Sequence, residues 1–235
     1  MKLLSTGVKG LDDMLGGGIP EGKIILVCGG TGTGKTIFSI QVLLQALSRG
    51  EACVFATLEE PMPSIRQNLL ALGWNLSDWE RKGLLKALDF RMVPTSSFAK
   101  DREMGDSQLS TSEILTIINE TKAKVVAVDP LTSLVIQEAR SGRKRFLIGE
   151  FFESLRKLGC TVIVTSETSP QEGDFYMEQF LADGVILLGK DVRDYKLVKT
   201  LRIDKMRGLA YDEQPRRYTI SSRGFQVFNT EPVLV

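Results

Sequence analysis

The sequence predicts an α/β domain, with a mostly parallel central sheet flanked by helices and antiparallel strands added toward the C-terminus. Three observations carry this expectation. Short, continuously apolar runs recur along the chain, as strands covered on both faces require. Between them lie longer segments whose apolar residues follow helical spacing. At one strand-to-helix junction stands Gly29-Gly30-Thr31-Gly32-Thr33-Gly34-Lys35-Thr36, which fits the phosphate-loop pattern G-x-x-x-x-G-K-[ST] at every fixed position.

In chain order, residues 4–22 alternate turns with apolar anchors, with a short helix over Leu11 to Leu15 ended by Gly16-Gly17-Gly18. Lys23 to Cys28 reads as a buried strand, and Ile37 to Leu47 as a helix whose buried face is Ile37, Ile40, Leu44 and Leu47, widened by Phe38, Val42 and Leu43. Ala52 to Leu58 is a second strand ending at Glu59-Glu60. Pro61 opens the next helix, since its missing N–H is not needed there, and Ile65, Leu69, Leu70 and Leu72 give the helix its buried face. Trp74 and Trp79 flank Ser77-Asp78, read as a helix cap, and pack as a satellite of the core. Leu84 to Phe90 is a third strand, and Val93 to Gln108 a long surface loop. Ser110-Thr111-Ser112-Glu113 has capping-box spacing and launches a helix through Thr121.

Lys124 to Asp129 is an apolar strand closing on a carboxylate. The basic run Arg140 to Arg145 lacks interleaved aromatics and precedes a helix with Leu147, Phe151, Leu155 and Leu158 on its buried face, so it reads as a solvated or subunit-facing helix start rather than a nucleic-acid contact. Cys160 to Ser166 forms a fifth strand followed by Glu167, residues 168–180 a flexible loop, and Gly184 to Gly189 a sixth strand. The tail partly alternates over Lys196 to Arg207 and Arg217 to Ile220, and ends with Gly224 to Phe228. These are the antiparallel strands expected at one edge of the parallel sheet.

Composition removes several chemistries. Thirty Lys+Arg against 29 Asp+Glu leave a net charge of +1, without the basic excess that advertises nucleic acid. There is no histidine, which excludes imidazole acid–base catalysis, His metal ligands and a Ser-His-Asp triad. Cys28, Cys53 and Cys160 are scattered singly in or beside strands and read as core residues of a reducing compartment. No apolar run approaches the ~18 residues of a membrane span, and the N-terminus lacks a signal-like apolar stretch, so a cytoplasmic protein is expected.

The residue types of the loop state their chemistry. The backbone N–H groups of Gly30, Thr31, Gly32, Thr33 and Gly34 can turn inward around phosphate oxygens, and the helix N-terminus adds partial positive charge. Lys35 reaches the β- and γ-phosphates, and the Thr36 hydroxyl is a ligand for Mg²⁺. Asp129, at the C-terminal end of its strand, fits the Walker B carboxylate that holds the water shell of Mg²⁺. Glu59 and Glu60 end a neighbouring strand and are the candidates for activating water, one facing the water and the other a partner, because adjacent side chains of an extended chain diverge.

Taken together, these motifs resemble a KaiC-like ATPase of the RecA/RadA superfamily. The likeness is carried by Thr6-Gly7, Gly10-Leu11-Asp12 and Leu15 to Pro20, then the phosphate loop, Glu59-Glu60, Val128-Asp129 and Lys205-Met206-Arg207-Gly208, in family order. It implies a RecA-like P-loop NTPase core forming a single domain over residues 1–235, with ATP and Mg²⁺ as cofactors. It also implies self-association into a ring, commonly a homo-hexamer with nucleotide at subunit interfaces, acting on a regulatory protein partner. The resemblance makes Glu59 and Glu60 catalytic carboxylates, with Glu59 nearest the water. It makes Lys205 and Arg207 fingers that reach the neighbouring subunit's γ-phosphate. The chain departs from the family where Leu209-Ala210 replaces a frequent Thr-Ser-His, and where Ser166-Glu167 stands in place of a recombinase glutamine. It carries one such domain where the circadian-clock member has two in tandem, so a clock role does not carry over. Two other readings compete: an ATP-dependent DNA-binding recombination paralogue, which the neutral charge disfavours, and a non-catalytic ATP-binding assembly scaffold.

Overall fold

The computed structural model describes residues 1–90, 106–135, 141–167, 177–193 and 195–232. The lead-in forms strand β1 (Leu3–Leu4), helix α1 (Leu11–Met14) and strand β2 (Ile19–Pro20), with β1 and β2 antiparallel. The Asp12 carboxylate fixes this segment by accepting hydrogen bonds from Ser5 Oγ at 2.7 Å, Thr6 N at 2.9 Å and Thr6 Oγ1 at 2.5 Å. There follow β3 (Ile24–Gly29), α2 (Lys35–Ser48), β4 (Cys53–Thr57), α3 (Met62–Leu70), α4 (Leu76–Arg81) and β5 (Leu85–Asp89). The chain continues through α5 (Asp106–Thr121), β6 (Val125–Asp129), α6 (Thr132–Val135), α7 (Ser141–Leu158), β7 (Thr161–Ser166) and α8 (Met177–Leu181). It ends with β8 (Gly184–Arg193), β9 (Lys196–Met206), β10 (Arg216–Ser221) and β11 (Gly224–Pro232).

The main sheet has nine strands in the order β11-β10-β9-β8-β3-β7-β6-β4-β5. From β8 to β5 every pairing is parallel, and from β8 to β11 every pairing is antiparallel. This is the expected architecture, and its physical cause is visible along β3. Ile25 and Val27 enter one buried cluster with Phe38, Val42 and Leu43 of α2, whereas Ile24, Leu26 and Cys28 enter a second with Ile114, Ile118, Phe151, Phe152 and Leu155 of α5 and α7. A strand covered on both faces has no polar side, hence the unbroken apolar runs. The three cysteines lie free and buried in these layers. Burial pushes the Cys28 and Cys53 thiols up to about 12 and that of Cys160 up to about 11, so they pack as inert thiols.

Local expectations needed correction at helix ends. Pro61 is the residue before α3 and Pro63 lies in its first turn, while Leu70 is exposed on the outer face. The cap of α4 is Asn75, so Ser77 and Asp78 fall inside the first turn. The spacing of Ser110 to Glu113 is not a helix start, because α5 already runs from Asp106; residues 106–108, expected in a loop, are helical, and the rest of that loop lies outside the described residues. Likewise α8 occupies the end of the expected loop 168–180, of which residues 168–176 are not described. Capping patterns misled because Ser, Thr and Asp satisfy the same spacing within a first turn as before it. On α7, Ile148 and Phe152 join Phe151 and Leu155 in the core, with Leu147 and Leu158 only half-buried. Both tryptophans pack partly buried against the main cluster, as expected.

Candidate functional site

The C-terminal ends of β3, β7, β6 and β4 open on one crevice, where a parallel sheet gathers its ligand-binding groups. A cavity of about 540 Å³ there is bounded by the phosphate loop, Glu59, Glu60, Asp129 and Glu167. The loop leaves β3 at Gly29 and enters α2 at Lys35. Gly34 caps α2 at φ +96° with no side-chain hydrogen bond, and no acidic residue lies in the first turn. The first N–H groups of a long helix are thereby left to face an anion. A Cβ at Gly34 would press on Ile220 Cδ1 of β10, the end of a side chain that can turn aside, so it is the left-handed backbone that requires glycine there.

Lys35 is buried at the crevice floor, its ammonium donating to the carbonyls of Gly29 at 2.8 Å and Gly30 at 3.3 Å. Thr36 Oγ1 donates to Asp129 Oδ2 at 2.5 Å. The other oxygen, Asp129 Oδ1, accepts from Thr165 Oγ1 on the adjacent strand β7. Burial raises the Asp129 carboxyl above its ordinary range, opposed by these two hydroxyl bonds and by Lys35. A hydroxyl and a carboxylate held together form a hard oxygen set that fits Mg²⁺, which takes few protein ligands and completes its shell with phosphate and water. Among the described residues no group of three or more Cys, Asp or Glu could hold a metal ion by itself.

The two glutamates after β4 diverge. Glu60 accepts hydrogen bonds from Ser64 Oγ at 2.7 Å and Asn68 Nδ2 at 2.9 Å. Glu59 is exposed at the cavity margin, with no hydrogen bond to any described residue. Lys35, Thr36, Asp129, Glu59 and Glu60 therefore do converge. Lys205 and Arg207 do not join them. Lys205 pairs with Val185 near the start of β8, five residues from Lys190 at the loop end, about 17 Å along a strand. Both cations bind the C-terminus of α8: Lys205 Nζ donates to Gln179 O at 2.7 Å, and Arg207 Nη2 to Phe180 O at 3.2 Å. Partial burial, then Arg207 beside it, lowers the proton affinity of Lys205.

Several contacts at the site have no signal in local spacing. The antiparallel strands back the loop: Lys190 Nζ donates to Thr31 O at 2.6 Å, Lys199 Nζ to Gly32 O at 3.2 Å, and the buried Tyr218 hydroxyl to Thr33 O at 2.6 Å. Tyr218 stacks on Phe225 at 4.2 Å, and its phenol is pushed above the ordinary range by burial. Glu167, noted in the sequence only as a departure from the recombinase glutamine, stands 3.8 Å from Lys35 Nζ and accepts from Thr31 Oγ1 at 3.4 Å. Its position one residue beyond a strand beside β3 is the sole clue that could have found it.

A family model described as KaiC ATPase matches residues 4–232. The chain belongs to the KaiC ATPase family. A UPF0273 protein of Methanopyrus kandleri is 34% identical over 95% of this chain and 91% of its own length. A UPF0273 protein of Thermotoga maritima is 32% identical over 98% of each. The circadian clock protein KaiC3 of Synechocystis is 30% identical over 94% of this chain but only 44% of its own length, so the chain spans a little under half of that relative. The solved structure of a KaiC-like protein from Pyrococcus horikoshii superposes with a TM-score of 0.84 at 27% identity, covering 97% of this chain and 99% of that one. The P-loop core with its parallel sheet, flanking helices and antiparallel tail is thus a KaiC-like RecA fold, and the family implies nucleotide binding. No helix among the described residues is long and apolar enough to cross a membrane.

Proposed function

We propose that this chain binds ATP with Mg²⁺ and hydrolyses it as a homo-oligomeric ring, nucleotide lying between subunits, and that turnover regulates a protein partner. Residues 1–235 act as one such domain. The observation that carries this reading is the convergence on one crevice of Lys35 at an uncapped helix N-terminus, the Thr36–Asp129 pair and the exposed Glu59 carboxylate.

In this reading Gly30 to Gly34 cradle the phosphates with backbone N–H groups and Lys35 engages the β- and γ-oxygens. Thr36 and Asp129 would hold Mg²⁺, which when bound neutralises charge on the phosphate oxygens. Glu59 accepts the proton of the attacking water. Glu60, held by Ser64 and Asn68, fixes the turn that carries Glu59. Among the described residues lining the cavity, Lys35 is the single cation, whereas phosphoryl transfer gains most from cations placed around the transferring group. Lys205 and Arg207 act on the next subunit's nucleotide, because within one chain they lie toward the far end of β8.

The test is to size the protein by light scattering with ATP, with ADP and without nucleotide while phosphate release is followed, in wild type and Glu59→Gln. Assembly should depend on ATP in both, and release should fall by about 10²–10⁴-fold in the variant. Unchanged release would sink the assignment of Glu59, and a monomeric size in the presence of ATP would sink the ring.

A further inference from the structure

We infer that Glu167 is a specificity-determining residue of the phosphate site: it competes with phosphoryl oxygens for Lys35, and so makes the site prefer polyphosphate accompanied by a divalent cation over the bare anion. The inference rests on the nucleotide reading above and deepens it.

Strand order makes the competition possible. β7 lies between β3 and β6, and the register of Cys28 with Ser166 sets Glu167 level with Gly29, where the phosphate loop begins. From there the carboxylate reaches Lys35 Nζ at 3.8 Å and accepts from Thr31 Oγ1 at 3.4 Å, contacting both the cation of the loop and a residue of its backbone cradle. The remaining Lys35 contacts among the described residues are neutral carbonyls, so among these Glu167 is the closest formal counter-charge to an ammonium whose side chain is only 10% exposed.

Two further features give this contact a consequence. Glu167 is itself 46% exposed, so it can rotate toward water when another anion takes Lys35. The crevice also holds Glu59, Glu60 and Asp129 beside Glu167, four carboxylates against one ammonium among the described lining residues. A phosphoryl oxygen on Lys35 must first displace Glu167, and the displaced carboxylate stays beside the site, where like charges repel even with substantial solvent screening. A divalent cation on the phosphates offsets that repulsion, and the bare anion has nothing to offset it. Were Glu167 only a brace for Thr31, its removal would loosen the cradle and weaken phosphate binding, the opposite sign.

The experiment is calorimetric titration of inorganic tripolyphosphate into the full chain, with Mg²⁺ and with EDTA, for wild type, Glu167→Gln, Glu167→Asp and Lys35→Ala. In EDTA, Glu167→Gln should bind about fivefold more tightly than wild type. The gain should be smaller with Mg²⁺, so the ratio between the two conditions contracts. Glu167→Asp keeps the charge and should keep most of the cation dependence. Unchanged or weaker binding by Glu167→Gln in EDTA, an equal gain in both conditions, or a gain in Glu167→Asp as large as in Glu167→Gln would overturn the inference. Equal affinity in wild type and Lys35→Ala would instead overturn the nucleotide reading, and this inference with it.

Discussion

The two ends of β8 are built on opposite principles. At its C-terminal end Lys190 touches the phosphate loop, whose glycines, buried lysine and neighbouring Asp129 are fixed by backbone geometry and by contacts from four strands. At its other end, beside Val185, Lys205 and Arg207 are partly exposed cations resting on main-chain carbonyls of α8. The first region gathers its anion-facing groups from one chain. The second holds two cations away from the phosphate loop, Arg207 lying 3.9 Å from Asp183 Oδ1. On the function proposed above, the difference divides the labour: the loop end serves binding within one subunit, and the Lys205–Arg207 end serves bond cleavage in the next.

The largest expected effect tests that division directly. Arg207→Ala should retain nucleotide binding but lose phosphate release by about 10³-fold or more, as removal of an arginine finger does. Mixing it with Lys35→Ala subunits should restore part of the rate, since an intact loop on one chain would meet an intact Arg207 on the next. An intact mixed ring with no recovered rate would break the comparison.

Two smaller effects sharpen the loop end. In Gly34→Ala a side chain is forced into a left-handed backbone and against Ile220 Cδ1. We expect a loss of roughly 1–3 kcal/mol, seen as a lower urea midpoint at unchanged slope. Measured against Ile220→Ala alone, the same Gly34→Ala change should cost less, the difference being the part due to contact and the remainder the part due to φ. Smaller again, Tyr218→Phe removes the hydroxyl donor to Thr33 O while keeping the stack on Phe225. The cost should be about 0.5–1.5 kcal/mol by the same measurement. A null result would mean that the Tyr218 hydroxyl adds nothing to the support that Lys190 and Lys199 give the loop.

How far the sequence could be read depended on whether a feature is local. Gly29 to Thr36 encodes its own backbone in residue type, and the continuous apolar runs encode double-sided burial, so the loop, the parallel strands and the C-terminal antiparallel extension were legible from the chain alone. Helix starts were less so: the capping pattern at Ser110 to Glu113 lies within a helix already begun at Asp106, because first-turn and cap positions favour the same small polar residues. Glu59-Glu60 could be named from their place after a strand, but which one is engaged by Ser64 and Asn68 is a matter of side-chain direction after the turn.

By itself, then, the sequence determined the phosphate-gripping element, the class of fold and, through its resemblance, the family. Tertiary structure alone decided that Thr165 shares Asp129 with Thr36, that Glu167 faces Lys35, that Lys190, Lys199 and Tyr218 stand behind the loop, and that Lys205 and Arg207 lie away from it. Each of these contacts joins residues far apart in the chain, brought together by the strand order β10-β9-β8-β3-β7-β6 and its register. Local hydrophobic pattern specifies that a segment is a buried strand, but every buried strand presents nearly the same pattern. It therefore leaves open which neighbour each strand takes, and only the packed sheet answers that.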